Sequence, residues 1–302
     1  MGEALLITQV VLLLGGFGFA AISDLRTREV TDHLWQALGL LGVALGAVDL
    51  APNGLLPLGM WLVVGALVLQ HLFAWDDALG PNYERFADLI EGVAYVAVVL
   101  LVVAGAVVAG VGPSGVSLPV VALLVTVLFA RGLFELGVLY GGADAKALMI
   151  AGTLVPLLAV PLLAQTASTT LLLRVLPFPV TLLVNAALFS VAIPIGLALR
   201  NAARGEFSFP RGFAGYQIPV RELPEHFVWL KDPLAAGARS RDTARTSEDD
   251  RLERVRLARE LEEQGVERVW VTPQIPFLVL MALGALAALL AGNLLLDLFA
   301  RL

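Results

Sequence analysis

Residues 91–111 read EGVAYVAVVLLVVAGAVVAGV, an apolar run in which Glu91 is the only charged residue. A helix that crosses a bilayer needs about 20 successive apolar residues, so this stretch is long enough to span a membrane by itself. Seven further stretches approach this length and composition: 4–22, 34–50, 54–73, 118–138, 145–163, 177–199 and 276–299. The chain is therefore predicted to be an all-α polytopic membrane protein with about eight transmembrane helices.

Charged residues are concentrated in one part of the chain. Residues 201–274 hold 13 of the 26 acidic and 12 of the 20 basic side chains, although the whole chain of 302 residues is only 15% charged. This distribution predicts a membrane domain over 1–200, a polar subdomain over 201–274 and a final transmembrane helix over 275–302.

The positions of the basic residues predict an orientation, because Lys and Arg collect on the cytoplasmic side of membrane proteins. With alternating spans, one set of connections contains Arg26, Arg28, Arg85, Lys146, Arg200 and Arg204. The opposite connections contain only Arg174, with Arg301 at the tail. We therefore expect a multi-pass protein of the cytoplasmic membrane with both termini outside and the 201–274 subdomain in the cytoplasm.

The polar subdomain combines helix and strand patterns. Residues 247–264 begin with Ser-Glu-Asp-Asp, which supplies an N-cap and an acidic first turn, and Gly265 can end the helix. β-Branched and aromatic residues bounded by Gly or Pro predict short strands at 215–220, 226–231 and 266–272, and 232–246 has the composition of a linker. A small mixed α/β cytoplasmic subdomain between the last two spans is therefore expected.

Composition excludes several kinds of chemistry. The absence of cysteine excludes disulfides, thiolate metal centres and a cysteine nucleophile. The three histidines do not have the spacing of a metal motif, so neither a metal nor another cofactor is predicted. A net charge of −6 gives a general nucleic-acid-binding role no electrostatic basis.

Ionisable side chains at membrane spans are energetically expensive, so each is a functional candidate. The candidates are Asp24, Asp49, Glu91, Arg131, Glu135, Asp144 and Asp297. Asp49 and Asp297 are explained by hydration at outer helix ends, and Glu91 by the favourable interaction of an acid with a helix N-terminus. Arg131 and Glu135 are one turn apart and can form an ion pair. Asp24 and Asp144 remain, and both are predicted at cytoplasmic ends of spans.

Asp144 follows two glycines, Gly141 and Gly142, that interrupt the helical pattern. Irregular backbone at membrane depth is tolerated only where it is buried in protein or faces a wet cavity, so this glycine pair predicts a cavity. If Asp24 shares that cavity, the two carboxyl groups would share one proton and could act together as acid and base in peptide hydrolysis. Capping of a helix or pairing with a nearby arginine would explain each aspartate equally well from position alone.

Three segments resemble the Gly-x-Gly-Asp-type intramembrane aspartyl peptidases, specifically the archaeal preflagellin and type IV prepilin peptidases. The second aspartate motif of that family is similar to Gly141-Gly142-Ala143-Asp144-Ala145-Lys146, with Ala143 where the general motif has its second glycine. The first is similar to Asp24 with Arg28, Val30 and Asp32, and the segment before the last span is similar to 269–277.

The resemblance implies that Asp24 and Asp144 are the catalytic pair, supported by Gly141, Gly142, Ala143, Lys146 and Arg28. It also implies that the substrates are archaellin or pilin-like precursors, cut at the cytoplasmic membrane face beside a short basic leader. Bacterial relatives often carry a cysteine cluster and a methyltransferase activity, which a chain without cysteine does not support.

Two other functions remain open at this stage. A secondary transporter also uses glycine-broken helices and membrane carboxylates. A non-enzymatic membrane scaffold could present the 201–274 subdomain to a partner, and such a scaffold would tolerate the loss of both aspartates.

Overall fold

The computed structural model describes residues 2–73, 84–109, 117–139, 141–157, 176–230 and 247–302. The helices of the first half are α1 (Glu3–Thr27), α2 (Asp32–Leu50), α3 (Leu55–Phe73), α4 (Glu84–Ala109), α5 (Leu118–Glu135) and α6 (Gly142–Leu154). Those of the second half are α7 (Phe178–Ser190), α8 (Ala192–Ala203), α9 (Ser247–Glu263), α10 (Phe277–Ala291) and α11 (Leu294–Arg301).

Among the described residues, six helical segments are long and apolar enough to cross a membrane, or seven if α10 and α11, bent by 48° at their junction, form one span. A polytopic membrane protein with a small subdomain is therefore confirmed. The remaining predicted span, 145–163, coincides with α6 only as far as Leu154. Proline disfavours helical conformation in the residue before it, and α6 ends directly before Val155-Pro156; residues 158–163 lie outside the described residues.

Small residues on α2 allow close packing against its neighbours. Gly42 faces Thr153 of α6, and Gly46 faces the indole of Trp61 on α3. The Trp61 Nε1–H donates a hydrogen bond of 2.9 Å to the carbonyl oxygen of Val43, which fixes the ring over Gly46. A Cβ added at Gly46 would overlap that ring, so the short glycine-containing span depends on the missing side chain.

At the break in the last span, a buried side chain on α7 forms hydrogen bonds with two backbone groups. Asn185 Nδ2 donates to the carbonyl oxygen of Gly292 over 2.9 Å, and Asn185 Oδ1 accepts from the Leu294 amide over 3.0 Å. Gly292 has φ of +82° and separates α10 from α11. Because unpaired backbone groups are costly in a bilayer, Asn185 makes this bend tolerable.

The subdomain contains a three-stranded antiparallel sheet in the order β1-β3-β2, with β1 at Tyr216–Pro219, β2 at Val228–Leu230 and β3 at Arg268–Pro273. Its buried core comes from one face of this sheet, the turn after β1 and α9. Each strand lies within or next to its predicted range, and α9 is confirmed. Gly265 follows α9 with φ of +73°, as expected for a residue that ends a helix. The predicted linker 232–246 lies outside the described residues.

Polar contacts hold the subdomain against the end of α8. Asn201 is buried, and its Nδ2 donates to the carbonyl oxygens of Gly212 and Gly215, each over 2.8 Å. The guanidinium of Arg200 lies 3.9 Å from the ring centroid of Tyr216 on β1. The subdomain is therefore attached to the membrane helices by directional contacts as well as by the chain.

Replacement of Gly46 by alanine is expected to destabilise the protein. The added methyl group would force Trp61 away from its hydrogen bond, and overpacking of this kind costs about 1–3 kcal/mol. The thermal midpoint of the detergent-solubilised Gly46→Ala variant should fall by several degrees. Gly15→Ala is the matched control, because a Cβ there meets no neighbouring atom; equal midpoints for the two variants would contradict the packing at Gly46.

Candidate functional site

Asp24 and Asp144 lie at the same end of the helical bundle. Asp24 lies in the last turn of α1 and Asp144 in the first turn of α6, although 120 positions separate them in the sequence. Both line one cavity of about 300 Å³. The structure therefore brings together the two acids that the sequence singled out.

Asp24 is surrounded by groups that favour a negative charge. The amide of Leu278, in the first turn of α10, donates to Asp24 Oδ2 over 3.3 Å. Nη1 of Arg28 lies 4.0 Å from Asp24 Oδ1. Arg28 adopts a left-handed conformation with φ of +60°, and its amide donates to the Asp24 carbonyl oxygen, so the end of α1 positions this cation beside the acid.

Asp144 has a different environment. Gly141 is extended, with φ of −100° and ψ of 128°, and its carbonyl oxygen accepts from the Asp144 amide over 3.1 Å. A Cβ on Gly141 would lie 3.2 Å from Asp144 Oδ2, so the glycine leaves the carboxyl room to move. Within the part of the chain that the structure describes, the Asp144 carboxyl receives no hydrogen bond and has no cation in ion-pair distance.

The wall opposite the acids comes from the subdomain. The ring of Phe227 has the Arg28 guanidinium 5.2 Å from its centroid and the Arg254 guanidinium 5.8 Å from it. Burial lowers the pKa of Arg28, and the Asp24 carboxylate opposes that change. Burial likewise lowers the pKa of Arg254, opposed by Asp250 one turn earlier. Both cations have thus lost much of their hydration beside an aromatic face that attracts them.

Several lining residues were not predicted from the sequence. The cavity is also lined by Glu29, Trp229, Asp250, Gln274 and Ile275. Asp250, Arg254 and Phe227 were not among the candidates identified from the sequence. The resemblance of segment 269–277 was the signal that pointed to this region, because that segment includes Gln274 and Ile275.

The motif residues divide into two groups. Gly141 and Arg28 line the cavity together with the two aspartates. Gly142 and Ala143 do not line it, and Ala143 packs instead against the core of the bundle. Nζ of Lys146 lies 2.6 Å from Asp32 Oδ1, which joins the N-terminal part of α6 to the first turn of α2. Lys146 therefore acts on the position of α6.

Three of the other charged candidates form a separate cluster. Arg131 Nη2 lies 2.7 Å from Glu135 Oε1, which confirms the predicted pair, and 3.7 Å from Glu91 Oε1 on α4. Nearby, His71 is hydrogen-bonded to the Tyr95 hydroxyl. This tyrosine is close enough to Arg131, Glu91 and Glu135 to interact electrostatically with them. Over the described ranges, no group of three or more His, Asp or Glu side chains could hold a metal ion.

Comparison with known proteins gives consistent matches. Residues 209–294 match the family model described as archaeal Peptidase A24 C-terminus, type II. A preflagellin peptidase of Methanocaldococcus jannaschii is 27% identical over 164 residues, which cover 53% of this chain and 65% of that relative, slightly under two thirds. A preflagellin peptidase of Methanococcus maripaludis is 21% identical over 298 residues, 96% of this chain and 98% of the relative.

The contact between Lys146 and Asp32 is expected to add modestly to stability. The Lys146 side chain is 19% exposed and that of Asp32 is 55% exposed, so a double-mutant cycle with Lys146→Met and Asp32→Asn should give a coupling of about 0.5 kcal/mol in the free energy of unfolding. The control cycle uses Arg256 and Glu260 on α9, where Arg256 is 80% exposed and the coupling should be near zero. A larger coupling in the control pair would contradict this account.

Proposed function

We propose that this chain is a membrane-embedded aspartyl endopeptidase of the archaeal preflagellin peptidase family. Its family-model match and its two preflagellin peptidase relatives support this assignment. Its substrates would be archaellin or type IV pilin-like precursors, from which it removes the short basic leader at the cytoplasmic membrane face. Asp24 and Asp144 would activate water for the attack on the peptide bond.

The observation that carries the proposal is the convergence of Asp24 and Asp144 on one cavity. Isolated carboxylates at span ends can be explained by hydration, but two that line the same partly enclosed cavity are unfavourable as a pair of charges. Sharing one proton relieves this repulsion, and the half-protonated pair then contains a base and an acid for hydrolysis without a metal or a covalent intermediate.

The surroundings support different roles for the two acids. Asp24 receives the Leu278 amide and has Arg28 beside it, so Asp24 holds the negative charge and acts as the base that takes a proton from water. Asp144 has neither support among the described residues, so it holds the proton and donates a hydrogen bond to the carbonyl oxygen of the peptide bond. The proton that Asp24 takes from water then passes to the leaving amine as the bond breaks, which returns Asp24 to its ionised form and leaves Asp144 protonated.

The charge of the cavity suits a positively charged leader. Four acids and two arginines line it, and one shared proton leaves a net charge of −1. The site lies at the end of the bundle, so an apolar helix following the cleavage point could remain in the bilayer while the leader enters the cavity. This arrangement supports cleavage at the membrane boundary.

The two other functions have less support. A scaffold does not require the subdomain to approach the aspartates, yet Phe227 and Arg254 form part of their cavity. A transporter would be expected to have its carboxylates near the middle of the bilayer, whereas Asp24 and Asp144 lie in terminal turns of their helices.

Removal of either carboxyl group should abolish leader removal. With an archaellin precursor and detergent-solubilised protein, Asp24→Asn and Asp144→Asn should each lower the cleavage rate by about two to four orders of magnitude. The reason is that the first variant lacks the base and the second lacks the acid. The readout is the shortened product resolved by mass spectrometry.

The control for these variants is Glu260→Gln, an acid-to-amide change on α9 outside the cavity, which should cleave at the parental rate. Retention of parental cleavage by either aspartate variant would refute the paired mechanism. Failure of the parent to cleave any such precursor, together with solute uptake by proteoliposomes that contain it, would favour the transporter.

The role of Arg28 can be tested by the pH dependence of cleavage. Replacing Arg28 with glutamine removes a cation that favours ionised Asp24, so the acidic limb of the pH–rate profile should move to higher pH by about one unit. Arg28→Lys preserves the charge and should leave that limb nearly in place. An unchanged limb in Arg28→Gln would show that Asp24 is not the base.

A further inference from the structure

A second cavity lies beside the aspartate cavity, at the end of α1. Its volume is about 280 Å³, and its lining includes Arg26, Glu225, His226, Arg251 and Arg254. Three guanidinium groups against one carboxylate give this lining a net charge of +2 with the histidine neutral. The volume is at the lower limit for small-molecule sites, which suits a compact anionic group.

Arg254 is the most buried cation in the lining of the second cavity, and it also lines the aspartate cavity. Its side chain is only 6% exposed, yet its Nε has no hydrogen-bond partner among the described residues. A buried cation with an unused donor is costly unless it is paired. The Phe227 ring and the neighbouring Asp250 offset part of this cost but do not accept a hydrogen bond from Nε.

The location of the second cavity indicates the source of the anion. Arg26 lies in the last turn of α1, a helix long enough to cross the bilayer, so the cavity is at the boundary between the hydrocarbon and water. Lipid phosphates occupy this depth. The C-terminus of α1 itself carries about half a negative charge, which is too small to cancel the excess charge of the arginines.

We propose that this second cavity binds the phosphate of an anionic membrane lipid, with Arg26 and Arg254 as ligands. Phe227 and Arg254 line both cavities, so the bound lipid lies directly behind the wall of the aspartate cavity. This site is separate from the peptidase chemistry, and its test does not depend on proteolysis.

The test measures lipid binding to the full chain in detergent micelles by native mass spectrometry. Phosphatidylglycerol and zwitterionic phosphatidylcholine are titrated separately. The parent should bind phosphatidylglycerol more tightly, and Arg26→Gln should weaken that binding about fivefold while leaving phosphatidylcholine unchanged. Arg26 is exposed, so its replacement should leave the fold intact, as circular dichroism would verify.

Arg256→Gln is the matched control, since it removes the same charge from α9 outside the second cavity and should leave lipid binding unchanged. If Arg256→Gln weakens phosphatidylglycerol binding as much as Arg26→Gln does, the effect comes from the overall charge of the protein and the proposal is wrong. Equal affinities of the parent and Arg26→Gln for phosphatidylglycerol would also overturn it. A further arm adds inorganic phosphate. Displacement of the lipid by phosphate at comparable concentration would identify a free phosphate site and overturn the lipid assignment.

Discussion

The hydrogen bond from the Leu278 amide to Asp24 Oδ2 connects the first helix of the chain with α10, near its end. A carboxylate at a membrane boundary needs donors, and the first turn of a helix offers amides without partners inside the helix. Placing the start of α10 at this point also fixes β3, which precedes α10 by only three residues, and thereby the sheet of the subdomain. This contact therefore links the position of the subdomain to that of α1, in addition to the contacts of Arg200 and Asn201.

Different neighbours explain why the two acids are not equivalent. They share one cavity, but the groups that stabilise negative charge, Leu278 and Arg28, are all on the side of Asp24. The sequence alone could not separate the roles, because both residues follow or precede apolar spans in the same way. The distinction comes from a residue 254 positions away from Asp24, and no local pattern encodes such a contact.

Much of the fold could be predicted from the sequence because it follows from local pattern. Apolar length identified the long spans, β-branched runs identified the strands, and the Ser-Glu-Asp-Asp start identified α9. Where the prediction and the structure differ, local backbone chemistry is the cause: Pro156 follows the end of α6, and Gly292 bends the last span. Of the site, the aspartates and Gly141 could be predicted because charge and glycine are conspicuous in an apolar chain.

The wall formed by Phe227 and Arg254 could not be predicted, because both residues have an ordinary explanation in their own segments. Phe227 precedes a short strand, and Arg254 has Asp250 one turn away on α9. Their function depends on how the sheet packs against the end of α1, which is a tertiary property. In the sequence Arg26 indicates only orientation, whereas the resemblance also implies that Arg28 supports the site; that the two side chains line different cavities is seen only in the structure.

The short connection from β3 to α10 has a mechanical consequence. Gln274 is bound through its amide to the carbonyl oxygen of Phe227, and the next helix begins at Phe277. This connection of three residues is too short to absorb much movement. A shift of the sheet relative to the membrane would therefore change the distance between the Leu278 amide and Asp24. The sheet of the subdomain and the Asp24 carboxyl are thus connected through the backbone of residues 274–278.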